Sequence, residues 1–164
     1  MQVLETAMQL EIDAEKHYRD LAAQTQDVGL VNILNRLAEV EHKHQQIIAA
    51  MLDNNLDCDA GDDTFVSDVK LLCEKLEESR ANVTIDTAQI ALYEHAKARE
   101  LEAETLYYKA AEAEKDPDTA ALFKRLAAQE TVHAQILESI VDFLKTAEPG
   151  GWLEDAEWYH TDVY

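Results

Sequence analysis

Four glutamates and two histidines recur in this chain at one fixed spacing. Glu41 stands three residues before His44 in "RLAEVEHKHQQII", and Glu130 stands three before His133 in "RLAAQETVHAQIL". Residues three apart share a helix face, so each pair points a carboxylate and an imidazole the same way. A single histidine on an apolar stripe is most often a satisfied core residue, but two with the same companion need another reason. Glu11 and Glu100 complete the set, and a tyrosine follows each by seven residues, Tyr18 and Tyr107. Carboxylates and imidazoles gathered in this way are ligands for metal ions of intermediate hardness.

The recurrence is an internal repeat. Shifting the sequence by 89 residues aligns 7–52 with 96–141 without a gap, matching Glu11 with Glu100, Glu15 with Glu104 and Tyr18 with Tyr107. The same shift matches Asp27 with Asp116, Arg36 with Arg125, Glu41 with Glu130 and His44 with His133. Leucine and alanine matches are cheap in a helical chain, whereas this polar set at one offset is not. Glu11 precedes Asp27 by 16 residues and Glu41 follows it by 14; Glu100 and Glu130 stand in the same relation to Asp116. With a rise of about 1.5 Å per residue, each pair lies within about one turn of the same height on antiparallel helices. Four carboxylates and two imidazoles are therefore expected to meet inside the fold.

Four ionised carboxylates in an apolar interior would repel one another and lose their hydration, at several kcal/mol each. Two divalent cations resolve both problems. A Glu from each of two helices with Glu-x-x-His from each of the other two is the ligand set of carboxylate-bridged dinuclear sites. Such O and N ligands suit two iron or two manganese ions, and zinc could occupy them adventitiously. Glu11 and Glu100 are assigned as terminal ligands, Glu41 and Glu130 as bridges, and His44 and His133 as one nitrogen each. Tyr18 and Tyr107, two turns along the same face, could satisfy a buried carboxylate or supply an electron. Glu15 and Glu104 stand one turn beyond the terminal ligands and are candidate extra carboxylates or solvated residues. His17, His42, His95 and His160 have no partner in the repeat and are expected at the surface.

The elements that must position these residues are long helices. Four Gly and two Pro in 164 residues leave few breakers, and Ala, Leu and Glu dominate. Apolar residues recur at helical spacing from Val3 to about Thr25, and again from Leu30 to Met51 after "TQDVG", with Asp27 as N-cap. A third run goes from about Ala88 to Glu114, opening on Asp86-Thr-Ala-Gln89 in the outline of a capping box. A fourth runs from Pro117 to about Ala147, with Asp116 as N-cap and "EPGG" as its end. Two tight hairpins, about 3–52 and 87–147, joined by a long crossover over 53–86, is the wiring of a ferritin-like four-helix bundle. A short helix is expected within the crossover, in "FVSDVKLLCEKLEES", and an aromatic tail occupies 148–164.

Composition excludes several classes of function. A formal net charge of -20, with a pI near 4.4, disfavours nucleic acid and anionic membranes as partners. Cys58 and Cys73 form no C-x-x-C pair, so the expectation is free thiols in a reducing compartment. No signal peptide or membrane-length apolar run is evident, and the expected location is the cytoplasm.

The segments "AMQLEIDAEKHYRDLA" and "RLAEVEHKHQQII", then "AKARELEAETLYYKAA" and "RLAAQETVHAQIL", resemble the diiron domain of rubrerythrins and their erythrin relatives. The resemblance covers most of residues 5 to 145, and the aromatic tail is similar in character to those of stand-alone members. It implies that Glu11, Glu41, His44, Glu100, Glu130 and His133 hold two irons. It further implies that the reduced centre converts hydrogen peroxide or dioxygen to water, each iron giving one electron. Rubrerythrins usually add a rubredoxin domain with four cysteines, which is expected to be missing here. Reduction would then come from a separate donor such as a rubredoxin-like protein, or from Fe(II) itself. They also typically carry a seventh carboxylate one turn beyond the third-helix ligand, at the position of Ala103. The six-ligand set without it is similar to bacterioferritin-type ferroxidase centres, so a ferroxidase that handles Fe(II) is the alternative function. The expected assembly is a homodimer.

Overall fold

The computed structural model describes residues 2–54 and 87–147. Four helices occupy them: α1 (Gln2–Gln24), α2 (Val28–Leu52), α3 (Thr87–Ala113) and α4 (Pro117–Ala147). Among the described residues there is no strand. The expected crossover helix, both cysteines, Asp86, His160 and the aromatic tail lie outside the described residues.

Local chemistry sets the starts of α2 and α4 and the end of α2. The Asp27 side chain accepts the Leu30 N–H at 2.9 Å, satisfying one of the amides that the first turn of α2 leaves without a partner. Asp116 does the same for Thr119 at 2.8 Å and also takes the Thr119 hydroxyl at 2.6 Å. Pro117 opens α4 at the one position where a missing N–H costs nothing. Asn54 ends the first hairpin with φ 54, in the left-handed region that Asn tolerates better than most residues.

Helices within a hairpin pack extensively, whereas α1 meets α3 and α2 meets α4 over fewer residues. The repeat shapes the core. One apolar cluster gathers Tyr18, Leu37, Ala96 and Leu137 with their neighbours at the closed end of the first hairpin. The other gathers Ala7, Ile48, Tyr107 and Leu126 at the opposite end. Under the 89-residue shift Tyr18 corresponds to Tyr107, Leu37 to Leu126, Ala7 to Ala96 and Ile48 to Leu137. The two clusters are thus pseudo-twofold mates. Between them lies a buried polar layer.

Candidate metal centre

That layer contains the six residues the repeat singles out. Glu11, Glu41, His44, Glu100, Glu130 and His133 are the buried polar and charged residues of the described chain, none more than 3% exposed. α1 supplies Glu11, α2 supplies Glu41 and His44, α3 supplies Glu100, and α4 supplies Glu130 and His133. They form two overlapping groups, Glu11–Glu41–His44–Glu130 and Glu41–Glu100–Glu130–His133, with ligand atoms inside each group within 4.8 Å of one another. Glu41 and Glu130 belong to both.

The oxygen-by-oxygen geometry shows how they are shared. Glu41 Oε2 lies 3.2 Å from His44 Nδ1, and its Oε1 lies 2.8 Å from His133 Nδ1. Glu130 repeats the pattern with the halves exchanged: Oε1 is 2.9 Å from His44 Nδ1 and Oε2 is 3.1 Å from His133 Nδ1. Glu11 Oε2 approaches only His44 Nδ1, at 3.2 Å, and Glu100 Oε2 only His133 Nδ1, at 3.5 Å. The two imidazole rings lie 5.6 Å apart and 16° from parallel. Two carboxylates thus face both imidazoles, and two face one imidazole each.

Electrostatics explain why such a cluster calls for cations. Burial, then the charges of Glu130 and Glu41, push the Glu11 carboxyl well above its ordinary range. Glu100 is raised well above it by burial and the same two neighbours. Burial by itself would lower the imidazoles. The facing carboxylates outweigh it and raise His44 and His133 well above the ordinary histidine value. Burial and the Glu130 charge raise Glu41, but His133 and His44 overcome them and bring it down to about 2. Burial likewise opposes ionisation of Glu130, and the two imidazoles hold it well below its usual range. Without metal, the cluster is a set of carboxylates neutralised by protons.

The residues fit a pair of metal ions. Both oxygens of Glu41 and Oε1 of Glu130 are fully buried and accept no well-aligned hydrogen bond, although imidazole nitrogens crowd within about 3 Å of them. Lone pairs that converge without pointing at a donor are placed for a cation at their common focus. His44 Nε2 meets Gln129 Oε1 at 2.9 Å. Since the amide oxygen can only accept, Nε2 carries a proton throughout, and with metal bound Nδ1 would turn its lone pair to the ion.

A family model described as Rubrerythrin matches residues 2–141, which span both hairpins and all six of these side chains. The chain belongs to the rubrerythrin family. Comparison with curated proteins and with solved structures yields no significant match.

Around these six side chains, further residues tie the two halves together. The Tyr18 hydroxyl donates to Glu100 Oε1, and the Tyr107 hydroxyl donates to Glu11 Oε1. Each tyrosine thus serves the glutamate of the other hairpin, not the one seven residues before it. Burial, then the carboxylate each one faces, raises both phenols well above their usual value and keeps the protons in place. The candidate extra carboxylates have other partners. Glu15 accepts from Arg19 at 2.6 Å and from Gln45 at 2.8 Å, with His42 Nδ1 at 3.2 Å. Glu104 accepts the Thr131 hydroxyl at 2.8 Å. Neither joins the two ligand groups among the described residues.

The histidines outside the cluster divide. His42 and His95 are exposed as expected. His17 departs from expectation: it is half-buried, its ring 5.8 Å from that of His95 across the α1–α3 seam. Sequence reasoning missed two features. One is Gln129, whose repeat mate is Val40; the other is an Arg99–Asp13 ion pair at 3.5 Å between α1 and α3, where the mate of Arg99 is Leu10. Both break the repeat, so the comparison that exposed the ligands passed over them.

Proposed function

We propose that this rubrerythrin is a diiron peroxide reductase that turns hydrogen peroxide, two electrons and two protons into two water molecules. The observation that carries the reading is the sharing of Glu41 and Glu130 between two ligand groups. Two irons held there would supply two electrons together, the number needed to cleave one O–O bond. The chain's own residues bind and hold. The shared carboxylates keep the two positions at a fixed separation, Gln129 orients His44, and Tyr18 and Tyr107 retain their protons while anchoring the terminal glutamates. The apolar clusters on either side exclude bulk water from the layer. Re-reduction falls to a separate donor such as a rubredoxin-like protein, with the chain acting as a cytoplasmic homodimer. Among the described residues no helix is long and apolar enough to cross a membrane.

A ferroxidase is favoured by one feature. Ala103 stands where the resemblance leads one to expect a seventh carboxylate, and the neighbouring Glu104 is engaged by Thr131. Stopped-flow mixing of anaerobically iron-loaded protein with peroxide and with dioxygen separates the readings. Peroxide should oxidise the centre much faster. Fast reaction with dioxygen and repeated turnover of added Fe(II), in an assembly of a dozen or more subunits, would overturn the reductase in favour of iron handling.

A further inference from the structure

The polar layer is not sealed on all sides. Between α1 and α3 a cleft of about 220 Å³, counted with its opening to solvent, is lined by Leu10, Ala14, Arg99 and Ala103 together with Glu11, Glu41 and Glu100. The three glutamates are buried and form the inner wall. Arg99 is partly exposed, 31% at the side chain, and stands toward solvent with its Asp13 partner. Ala14 and Ala103 are mates in the repeat, and their methyl groups leave the space between the helices that a longer side chain would fill. Most of that volume is open solvent, and the enclosed part has room for about one water-sized molecule, so the cleft admits only the smallest molecules.

Its charge pattern is lopsided where its shape is symmetric. Leu10 and Arg99 are equivalent under the repeat, yet one is apolar and the other cationic. Four carboxylates balance two divalent cations, and further oxidation makes the cluster positive. With metal bound, the charges at the mouth are then those of the Arg99–Asp13 pair, of which the guanidinium is the member that lines the cleft. A guanidinium in the wall favours small anions over cations there.

We propose that the cleft between α1 and α3 is the port through which a small anion, or a small acid such as hydrogen peroxide that can become one, reaches the cluster, with Arg99 selecting for it. The inference rests on the reading of the cluster as a two-metal centre. In the lining of the cleft, Leu10 gives no charge at the position equivalent to Arg99. Asp13 positions Arg99 and partly offsets its charge.

Azide titration of the oxidised, iron-loaded full chain tests this, followed by visible absorption after iron content has been measured. Ala103→Leu should weaken azide binding by about tenfold or more, the scale of a steric block in a small site, at unchanged iron content. Arg99→Leu, which copies the other half of the repeat, should weaken it by about tenfold at low salt, with the gap closing as salt rises. Should Ala103→Leu lose iron, Arg99→Leu, a partly exposed position, decides alone. Wild-type affinity in an iron-replete Ala103→Leu protein, or in Arg99→Leu at low salt, would overturn the port. A wild-type chain that takes up no iron would overturn the metal centre and the port with it.

Discussion

Glu130 is, with Glu41, one of the two residues whose removal should hurt most. It contributes one oxygen to the neighbourhood of each imidazole, at 2.9 Å and 3.1 Å, and belongs to both ligand groups. Glu130→Ala therefore reduces each group from four donors to three at once, whereas His44→Ala reduces only one. Loss of an outer partner of a metal ligand typically costs about 10–100-fold in affinity, and loss of a shared ligand should cost at least that at both positions. Under loading that gives two ions in the wild type, Glu130→Ala should retain well under about one ion per chain, and His44→Ala about one. The vacated half of His44→Ala can neutralise itself, because burial and neighbouring charge already favour a proton on Glu11. Glu130→Gln keeps the side-chain volume and separates loss of charge from loss of packing; it should behave like Glu130→Ala. Metal content after desalting, together with a spectrophotometric Fe(II) titration, reads the result. Two ions retained by Glu130→Gln, or both lost from His44→Ala, would refute the shared-ligand reasoning.

Three other expectations concern the surroundings of the cluster. Tyr107→Phe removes the hydroxyl that donates to Glu11 and should weaken one of two metal steps by about 10–100-fold in a competition titration, with little change in the other. Gln129→Val removes the acceptor of His44 Nε2 and should weaken one metal step by about 10–100-fold; two unchanged steps would show that the amide does not position His44. In the metal-free chain the raised values of His44, His133, Glu11 and Glu100 mean that binding must expel protons, so affinity should rise with pH, by at most about four decades per unit for the pair of ions. The raised imidazoles stabilise the metal-free fold below their unfolded value of about 6.5 and cease to do so as pH climbs through their folded values. Chelated and loaded protein should therefore differ more in melting temperature at pH 8 than at pH 6.

The buried cluster of six side chains was legible because the chain states it twice. A single Glu-x-x-His on an apolar stripe is ambiguous, but Glu41–His44 and Glu130–His133 at the same offset as Glu11 and Glu100 leave one arrangement that brings all six to one height. The helix ends were legible too, since Asp27, Asp116 and Pro117 act within a few residues of where they stand. What escaped was contact between hairpins. That Tyr18 serves Glu100 and Tyr107 serves Glu11 depends on how α1 lies against α3, and no periodicity within one helix encodes that. Gln129 and Arg99 escaped for a related reason: their mates, Val40 and Leu10, are unlike them, and a repeat shows only what its copies share. His17 looked like a surface residue because its neighbour, His95, comes from the other hairpin.

The division of ligands between hairpins also bears on how the chain holds together. Each ligand group takes three side chains from one hairpin and one from the other, Glu130 for the first and Glu41 for the second. The seams α1–α3 and α2–α4 are the sparser ones in the fold. Each ion would therefore act as a cross-link over the weakest boundary, doing for the two hairpins what a disulfide does for two loops. Demetallation should leave each hairpin's internal pairing intact while allowing the pair to part as cooperative units. In hydrogen exchange, amides facing the seams would lose protection before those buried within either hairpin. The cofactor expected to carry electrons would then also set the mechanical rigidity of the bundle.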